Sequence, residues 1–438
     1  MAAKDEVLIL TVGTGNSKDL DATLFKPLEK SLSDGEWSKI ILLPSTKTEE
    51  NAIQFRNRMS EHLIEIKPLP EAEQENDSDS CFRHFDQVLR EVRKHHCRTK
   101  LMIDFTRGTK AMSAAIVLAA VRHQVPRLRY IVGPRDERGM VISGQETVTE
   151  VETTIATLRL KVDEAMTLME KHAFSAVLEL LPDFENSKLA ESLAPRDFRN
   201  EIPRLRRFAN FWMAWDRLDY TQAVACTDKF TESEYQELRN EISLIKFLND
   251  EPQDSKTPNY HNDMARWLLY VALDLLENGY RRIKQHQFED ALLRSYRVVE
   301  MIGQLRLFEQ NYDSACIDPA DSNVVKFRKK LKKNNSADFG SRKYSGLEKL
   351  TASRLTTARF LKYLGDPLGQ KLSDFDRQGE TDISTNNRNH SILIHGFSAT
   401  SSNSENLHKL YDQIKELLIE FYPERTSKFK LERFGYFF

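Results

Sequence analysis

At 438 residues the chain is too long for one compact core, so two or three domains are expected. Its 64 basic and 66 acidic residues give a net charge of -2, which excludes a generally basic nucleic-acid coat but leaves room for a local site. The four cysteines, Cys81, Cys97, Cys226 and Cys316, are scattered as in a reduced cytosolic protein, and no apolar run is long enough to predict a signal segment or a membrane span.

The first third alternates two kinds of pattern. Short apolar runs at Val7 to Val12, Ile40 to Leu43, Leu63 to Ile66, Leu101 to Phe105 and Leu128 to Val132 predict strands buried on both faces. Between them lie helical patterns. Thr46 and Glu49 predict a capping box ahead of Ile53, Phe55 and Met59, and Ala111 to Val121 is apolar on nearly every face, as for a helix packed on a sheet. This alternation predicts an α/β domain, a mainly parallel, doubly wound Rossmann-like sheet, ending near residue 150, with Val148 to Ile155 as a last strand or a crossover.

In such a sheet the ligand crevice lies beyond the carboxyl ends of the strands. Two glycine-bearing loops fall there, Gly13-Thr14-Gly15-Asn16 and Thr106-Arg107-Gly108-Thr109-Lys110, each leading toward a helix whose free N–H groups favour a phosphate. The first lacks the third glycine of a dinucleotide fingerprint, and no GxxxxGK[ST] loop exists, so a phosphate-rich ligand other than NAD or hydrolysed ATP is expected. Cys81, His84, His95, His96 and Cys97 lack the paired short spacing of a zinc site and share a stretch with the apolar face of Phe82, Phe85, Val88, Leu89 and Val92, so no metal is assigned. Glu65-Ile66-Lys67 has the Glu-x-Lys order of metal-dependent nucleases without a neighbouring strand aspartate, and reads as a strand with solvated ends.

After residue 155 helical periods dominate. Phe174, Tyr220 and Phe288 each begin an aromatic–alanine pattern expected to turn one helix back on the next, at unequal spacing and so not as a regular solenoid. Glu251 to Pro258 is polar and proline-broken, a linker into a last domain. There Met264 to Glu277 predicts a helix ending near Gly279, Gln287 to Leu307 another, and Leu407 to Phe421 a third with an apolar stripe. Lys326 to Lys333 is a basic run that reads as a solvated helix face, with tracking of RNA phosphates as the alternative.

Between these helices stands Arg388-Asn389-His390-Ser391-Ile392-Leu393-Ile394-His395, capped before by Asn386 and Asn387 and followed by Gly396. Seven residues cover almost two helical turns, so Arg388 and His395 share one face but stand ~10 Å apart along the axis. A histidine titrating near neutrality beside an arginine is the pair that metal-free phosphodiester cleavage needs, and two copies of the helix across a two-fold would interleave them.

The segment Asp104 to Ser113 resembles the Thr-Gly-Gly-Thr-Lys-x-Met segment of CRISPR-associated Rossmann-fold (CARF) domains, with Arg107 where glycine is usual, and Val12 to Asn16 resembles the first-strand loop of the same family. Arg388-Asn389, six intervening residues and His395 resemble the Arg-x4–6-His motif of HEPN (higher eukaryotes and prokaryotes nucleotide-binding) helical bundles. In this order the two resemble the ancillary ribonucleases of type III CRISPR systems.

The resemblance implies a CARF-like sensor over 1–155, a helical linker domain over 156–255 and an all-α HEPN-like ribonuclease domain over 256–438. It implies a homodimer that binds cyclic tetra- or hexa-adenylate through Gly13, Thr14, Gly15, Asn16, Thr46, Thr106, Arg107, Gly108, Thr109 and Lys110. Single-stranded RNA would be cut to 2′,3′-cyclic phosphate ends by Arg388, Asn389 and His395, with no metal or other cofactor, in the cytoplasm. Two rivals follow from the same residues. One is a regulator or RNA-binding scaffold that does not cut. The other is activator cleavage in the CARF-like crevice, where Thr14, Asn16 or Thr106 would orient a ribose 2′-OH.

Overall fold

The computed structural model describes residues 6–33, 35–95, 100–134, 145–182, 198–253, 257–333, 338–344, 347–375 and 404–428. The chain forms two compact units, one of residues 1–164 with 191–199, the other of residues 165–190 with 200–438.

The first unit is built on a six-stranded sheet: β1 (Glu6–Val12), β2 (Lys39–Pro44), β3 (Ile64–Ile66), β4 (Lys100–Asp104), β5 (Arg127–Val132) and β6 (Thr147–Glu152). The order is β3-β2-β1-β4-β5-β6, parallel except for β6, which pairs antiparallel with β5. The apolar runs thus form the central strands as expected, and the stretch after Val148 is a strand. β1 is buried on both faces because the sheet is covered twice. Leu8, Leu10 and Val12 pack toward Leu24, Leu28, Ala52 and Phe55, while Val7 and Ile9 pack toward Phe85, Leu89, Ala115 and Ile116. Those residues belong to helices α1 (Lys26–Ser33), α2 (Glu49–Arg58), α3 (Ser78–His95) and α4 (Lys110–Arg122) or their approaches. α4 buries Met112, Ala115, Ile116, Ala119 and Ala120 but leaves Leu118 59% exposed, so its apolar character is not all spent on the sheet.

The capping box falls one residue earlier than expected. Ser45 and Thr48 form it, and Thr48 also donates its hydroxyl to the Val12 carbonyl at 2.9 Å, fastening the ends of β1 and β2 together. That second bond is non-local, which is why the sequence period favoured Thr46 and Glu49.

The second unit is helical apart from one two-stranded antiparallel hairpin, Gly340–Tyr344 with Leu347–Thr351, which the expected all-α domain over 256–438 does not include. Phe174, Tyr220 and Phe288 each open a helix, and the residue two positions before each is left-handed: His172, Leu218 and His286, with φ of 57°, 61° and 59°. In each turn the next residue's N–H reaches back five residues, as from Asp219 to the Ala214 carbonyl at 3.0 Å and from Gln287 to the Arg282 carbonyl at 2.8 Å. This is the Schellman stop formed without glycine, so one turn geometry recurs at the three aromatic sites.

The helix expected to end near Gly279 runs from Tyr260 to Lys284. Gly279 is buried within it, and a Cβ there would lie 3.4 Å from that of Arg294, so the glycine serves close packing with the following helix, Phe288–Glu309. The helix Phe198–Asp216 joins the same interior: Asp216 receives Arg281 Nε at 2.9 Å, the Asn278 side chain at 3.2 Å and Arg282. Among the described residues no helix is long and apolar enough to cross a membrane.

Candidate functional site

The strand order turns around at β1. From there the chain builds outward to β2 and β3 on one side, then to β4 and β5 on the other, so a crevice opens at the carboxyl ends of β1 and β4. The loops Gly13–Asn16 and Thr106–Lys110 meet there. A Cβ on Gly13 would stand 3.0 Å from the Gly108 nitrogen, and one on Gly108 would stand 3.3 Å from the side chains of Thr11 and Met112. Gly108 also has φ +127°, a conformation that other residues rarely adopt. Backbone therefore touches backbone across the crevice floor, leaving amide groups close to whatever the crevice holds.

The loop after β4 is held from below. Thr106 donates its hydroxyl to Asp104 and accepts the Ile131 N–H at 2.8 Å, so that hydroxyl is spent on the loop. Asp104 also accepts the Thr106 N–H at 2.8 Å and the Ser31 hydroxyl, and lies 3.7 Å from the buried Arg129. Thr109 caps α4 by accepting the Met112 N–H at 3.2 Å and donates to the Glu75 carbonyl, while Lys110 is exposed at the first turn of that helix. Free N–H groups of a helix start and a lysine are thus placed side by side, the arrangement that attracts an anion.

Arg107 is half-buried, and its Nε is buried without a hydrogen-bond partner. Burial pulls its pKa below the ordinary guanidinium value, against the opposing charges of Asp104 and Glu146. An under-satisfied cation at a crevice is a group that an anion would satisfy.

On the other side Thr14, Gly15 and Asn16 are exposed, and Gly15 has φ +63°. The Asn16 carbonyl oxygen of the side chain accepts the Lys18 N–H at 3.0 Å, and Asn51 donates to the Thr14 carbonyl at 3.3 Å. Thr46 is half-buried at the start of the turn after β2. The ten candidate residues therefore lie on three loops at one sheet edge. Sequence reasoning passed over Asp104, Ser45, Thr48 and Asn51, which shape those loops. Asp104 carried a local signal, a carboxylate at a strand end two residues before a threonine. The others depend on contacts that the sequence order does not reveal.

Of the residues weighed for a metal, Cys81, His84 and Glu65 have partners within the fold, while His96 and Cys97 lie outside the described residues. Cys81 donates to the Gln74 carbonyl at 3.1 Å, with burial pushing its thiol up to about 11, and His84 meets the Lys67 carbonyl at 3.2 Å. Glu65 is paired with Lys39 at 2.6 Å and Lys67 at 3.0 Å.

In the helical unit, Arg388, Asn389 and His395 lie outside the described residues. The segment that holds them is preceded by the helix Pro367–Phe375 and followed by Ser404–Phe421, whose stripe of Leu407, Leu410, Ile414 and Leu418 is buried. Tyr411 on that stripe donates to Glu277 at 2.5 Å, and burial pushes Glu277 up to about 7. One turn away on the same long helix, Asp274 accepts Trp215 and Tyr220 at 2.9 Å each, and burial pushes it up to about 6. Arg297 and Glu300 form an exposed pair at 2.6 Å along one helix.

A Rossmann-type sheet with loops gathered at its switch point, followed by a helical unit, is the architecture that the resemblance to CARF–HEPN proteins leads one to expect. Residues 262–420 match the family model of the Csm6 HEPN domain. Among solved structures, Csm6 from Enterococcus italicus bound to cyclic hexa-2′-fluoro-hexa-dAMP is similar over 98% of both chains at 14% identity, with a TM-score of 0.56, a likeness of fold. Can2 from Sulfobacillus thermosulfidooxidans in complex with cyclic tetra-adenylate aligns with 51% of this chain and 69% of its own, at 12% identity and a TM-score of 0.22, too slight a likeness to inform the fold. No curated protein sequence matches.

Proposed function

We propose that the chain is an endoribonuclease of type III CRISPR defence, switched on by a cyclic oligoadenylate and cutting single-stranded RNA without a metal. The observation that carries this reading is that the span matching the Csm6 HEPN domain, 262–420, contains Arg388 to His395. The crevice at β1 and β4 supplies the second half: exposed loop backbone, Arg107, Lys110 and the start of α4 suit a ligand made of several phosphates, as a cyclic tetra- or hexa-adenylate is. On this reading 1–155 senses, 156–255 links and 256–438 cuts, in a cytoplasmic homodimer.

In the chemistry proposed, His395 takes the proton of a ribose 2′-OH. The 2′-oxygen then attacks the adjacent phosphorus while the bond to the 5′-oxygen breaks, and a proton returns to that leaving oxygen. Products are a 2′,3′-cyclic phosphate and a free 5′-hydroxyl. Arg388 stabilises charge on the phosphoryl oxygens and Asn389 helps orient the pair. The sequence spacing would set Arg388 and His395 ~10 Å apart if a helix spans them, so on this reading the site is completed by the partner copy. The activator works by binding the active arrangement more tightly than the resting one.

The test is RNA cleavage in EDTA with and without cyclic tetra- and hexa-adenylate. Cleavage should need one of the two, and His395→Ala should lower the activated rate by about 10²–10⁴-fold. Undiminished cleavage by His395→Ala would falsify the assigned chemistry, and cleavage lost in EDTA but restored by a divalent cation would overturn the metal-free step.

A further inference from the structure

The chain's net charge of -2 conceals a concentrated cationic region. Residues 322–351 contain nine lysines and arginines against two acids, a net charge of +7 within thirty residues. They form the helix Ser322–Lys333 and the hairpin of β7 (Gly340–Tyr344) and β8 (Leu347–Thr351). Both acids are already engaged: Asp338 holds Arg328 at 2.8 Å, and Glu348 accepts the Ser341 hydroxyl at 2.9 Å.

The helix has two distinct faces. Val324, Phe327 and Leu331 are buried in the core of the helical unit, and Asp321 caps the start by accepting the Val324 N–H at 3.1 Å. On the opposite side Lys326, Lys329, Lys330 and Lys333, at intervals of three and four, form one exposed stripe, with exposed Lys332 beside it. The hairpin is fastened to the helix through Arg328–Asp338 and through Phe327 against Phe339 at 5.7 Å, and it adds exposed Arg342 and Lys343.

Ordinary helix energetics accounts for part of this. Lysines in the last turn complement the macrodipole, and Lys330 lies 5.6 Å over the Tyr363 ring. Neither effect reaches Lys326, Arg342 or Lys343. Like charges three and four apart weaken a helix, and between Ser322 and Lys333 no carboxylate offsets them. Repulsion of this kind is retained where a polyanion relieves it. The charges form a line on a rigid face rather than a cup, which suits a strand read along its backbone better than a single compact anion.

We propose that this face is a track for the phosphate backbone of single-stranded RNA, holding substrate outside the scissile linkage. The proposal rests on the ribonuclease reading above. The variant K326A/K329A/K330A/K333A, in the full-length activated protein, is compared with wild type on a short oligonucleotide that fills only the cleavage position and on a long single strand.

KM for the long strand should rise at least about tenfold at low salt with kcat unchanged, and its log–log salt slope should flatten by roughly 0.7 for each lysine engaged. The short substrate should be cut as before. K326R/K329R/K330R/K333R, which keeps the charge, should match wild type. A wild type that cuts neither RNA overturns the ribonuclease reading itself. If wild type cuts, an unchanged KM and salt slope in the alanine variant overturns the track alone and leaves the face to an acidic protein partner. Equal loss on both substrates also overturns it.

Discussion

At the sheet edge Arg107 keeps a buried Nε with no hydrogen-bond partner, whereas in the helical unit Asp216 is met on both carboxylate oxygens by Arg281, Arg282 and Asn278. The two regions use charge differently. The crevice is shaped by glycines and threonines whose bonds hold the loops, and its cations stand at the rim. The helical interior closes its charges on one another across two helices. Pairing left open at Arg107 gives an anion a group to meet, as the proposed function requires, whereas pairing completed around Asp216 holds helices together.

Removing Asp216 should break the helical side of this contrast most severely. Asp216→Ala leaves two arginines without their carboxylate in a buried setting, and a loss of about 3–5 kcal/mol is expected in urea unfolding. A loss below about 1 kcal/mol would mean that water already reaches the cluster.

Glu277 sharpens the comparison through pH. Its folded value of about 7 stands above the ordinary 4.5, so the bound proton stabilises the fold fully below pH 4.5, and the contribution is lost as pH rises through about 7. Glu277→Gln keeps an oxygen for Tyr411 and removes the titration. Between pH 5 and pH 8 the wild type should lose about 3 kcal/mol relative to the variant, read from denaturation at each pH. Parallel pH profiles would place the carboxylate in contact with water.

Arg107→Ala tests the other region. Stability should change little, since the residue has no hydrogen bond at Nε to lose, while affinity for cyclic oligoadenylate should fall by about 1.5–3 kcal/mol. Calorimetric titration and melting of the same sample measure both. A large drop in melting temperature with unchanged affinity would reverse the contrast between the two regions.

The apolar runs determined the sheet by themselves, because a strand buried on both faces must be continuously apolar and that is a local property. They also determined that Gly13–Asn16 and Thr106–Lys110 share an edge, since parallel strands bring all their carboxyl ends to one side. The roles proposed for Arg388, Asn389 and His395 rest on sequence spacing together with the family resemblance, and these residues lie outside the described ones.

Only tertiary structure decided the rest. Gly279 looked like a helix stop, yet close packing against Arg294 carries the helix on to Lys284. Three helices turn on His172, Leu218 and His286 rather than on glycine, each left-handed residue followed by an N–H that reaches back five residues, a stop that residue preference alone would not choose. Thr106 looked like a ligand donor, and its hydroxyl is taken by Asp104 and the Ile131 amide from the adjacent strand. For Gly279 and for the Ile131 amide on Thr106 the deciding partner lies on a separate element, and a local pattern carries no information about a contact made only when elements pack.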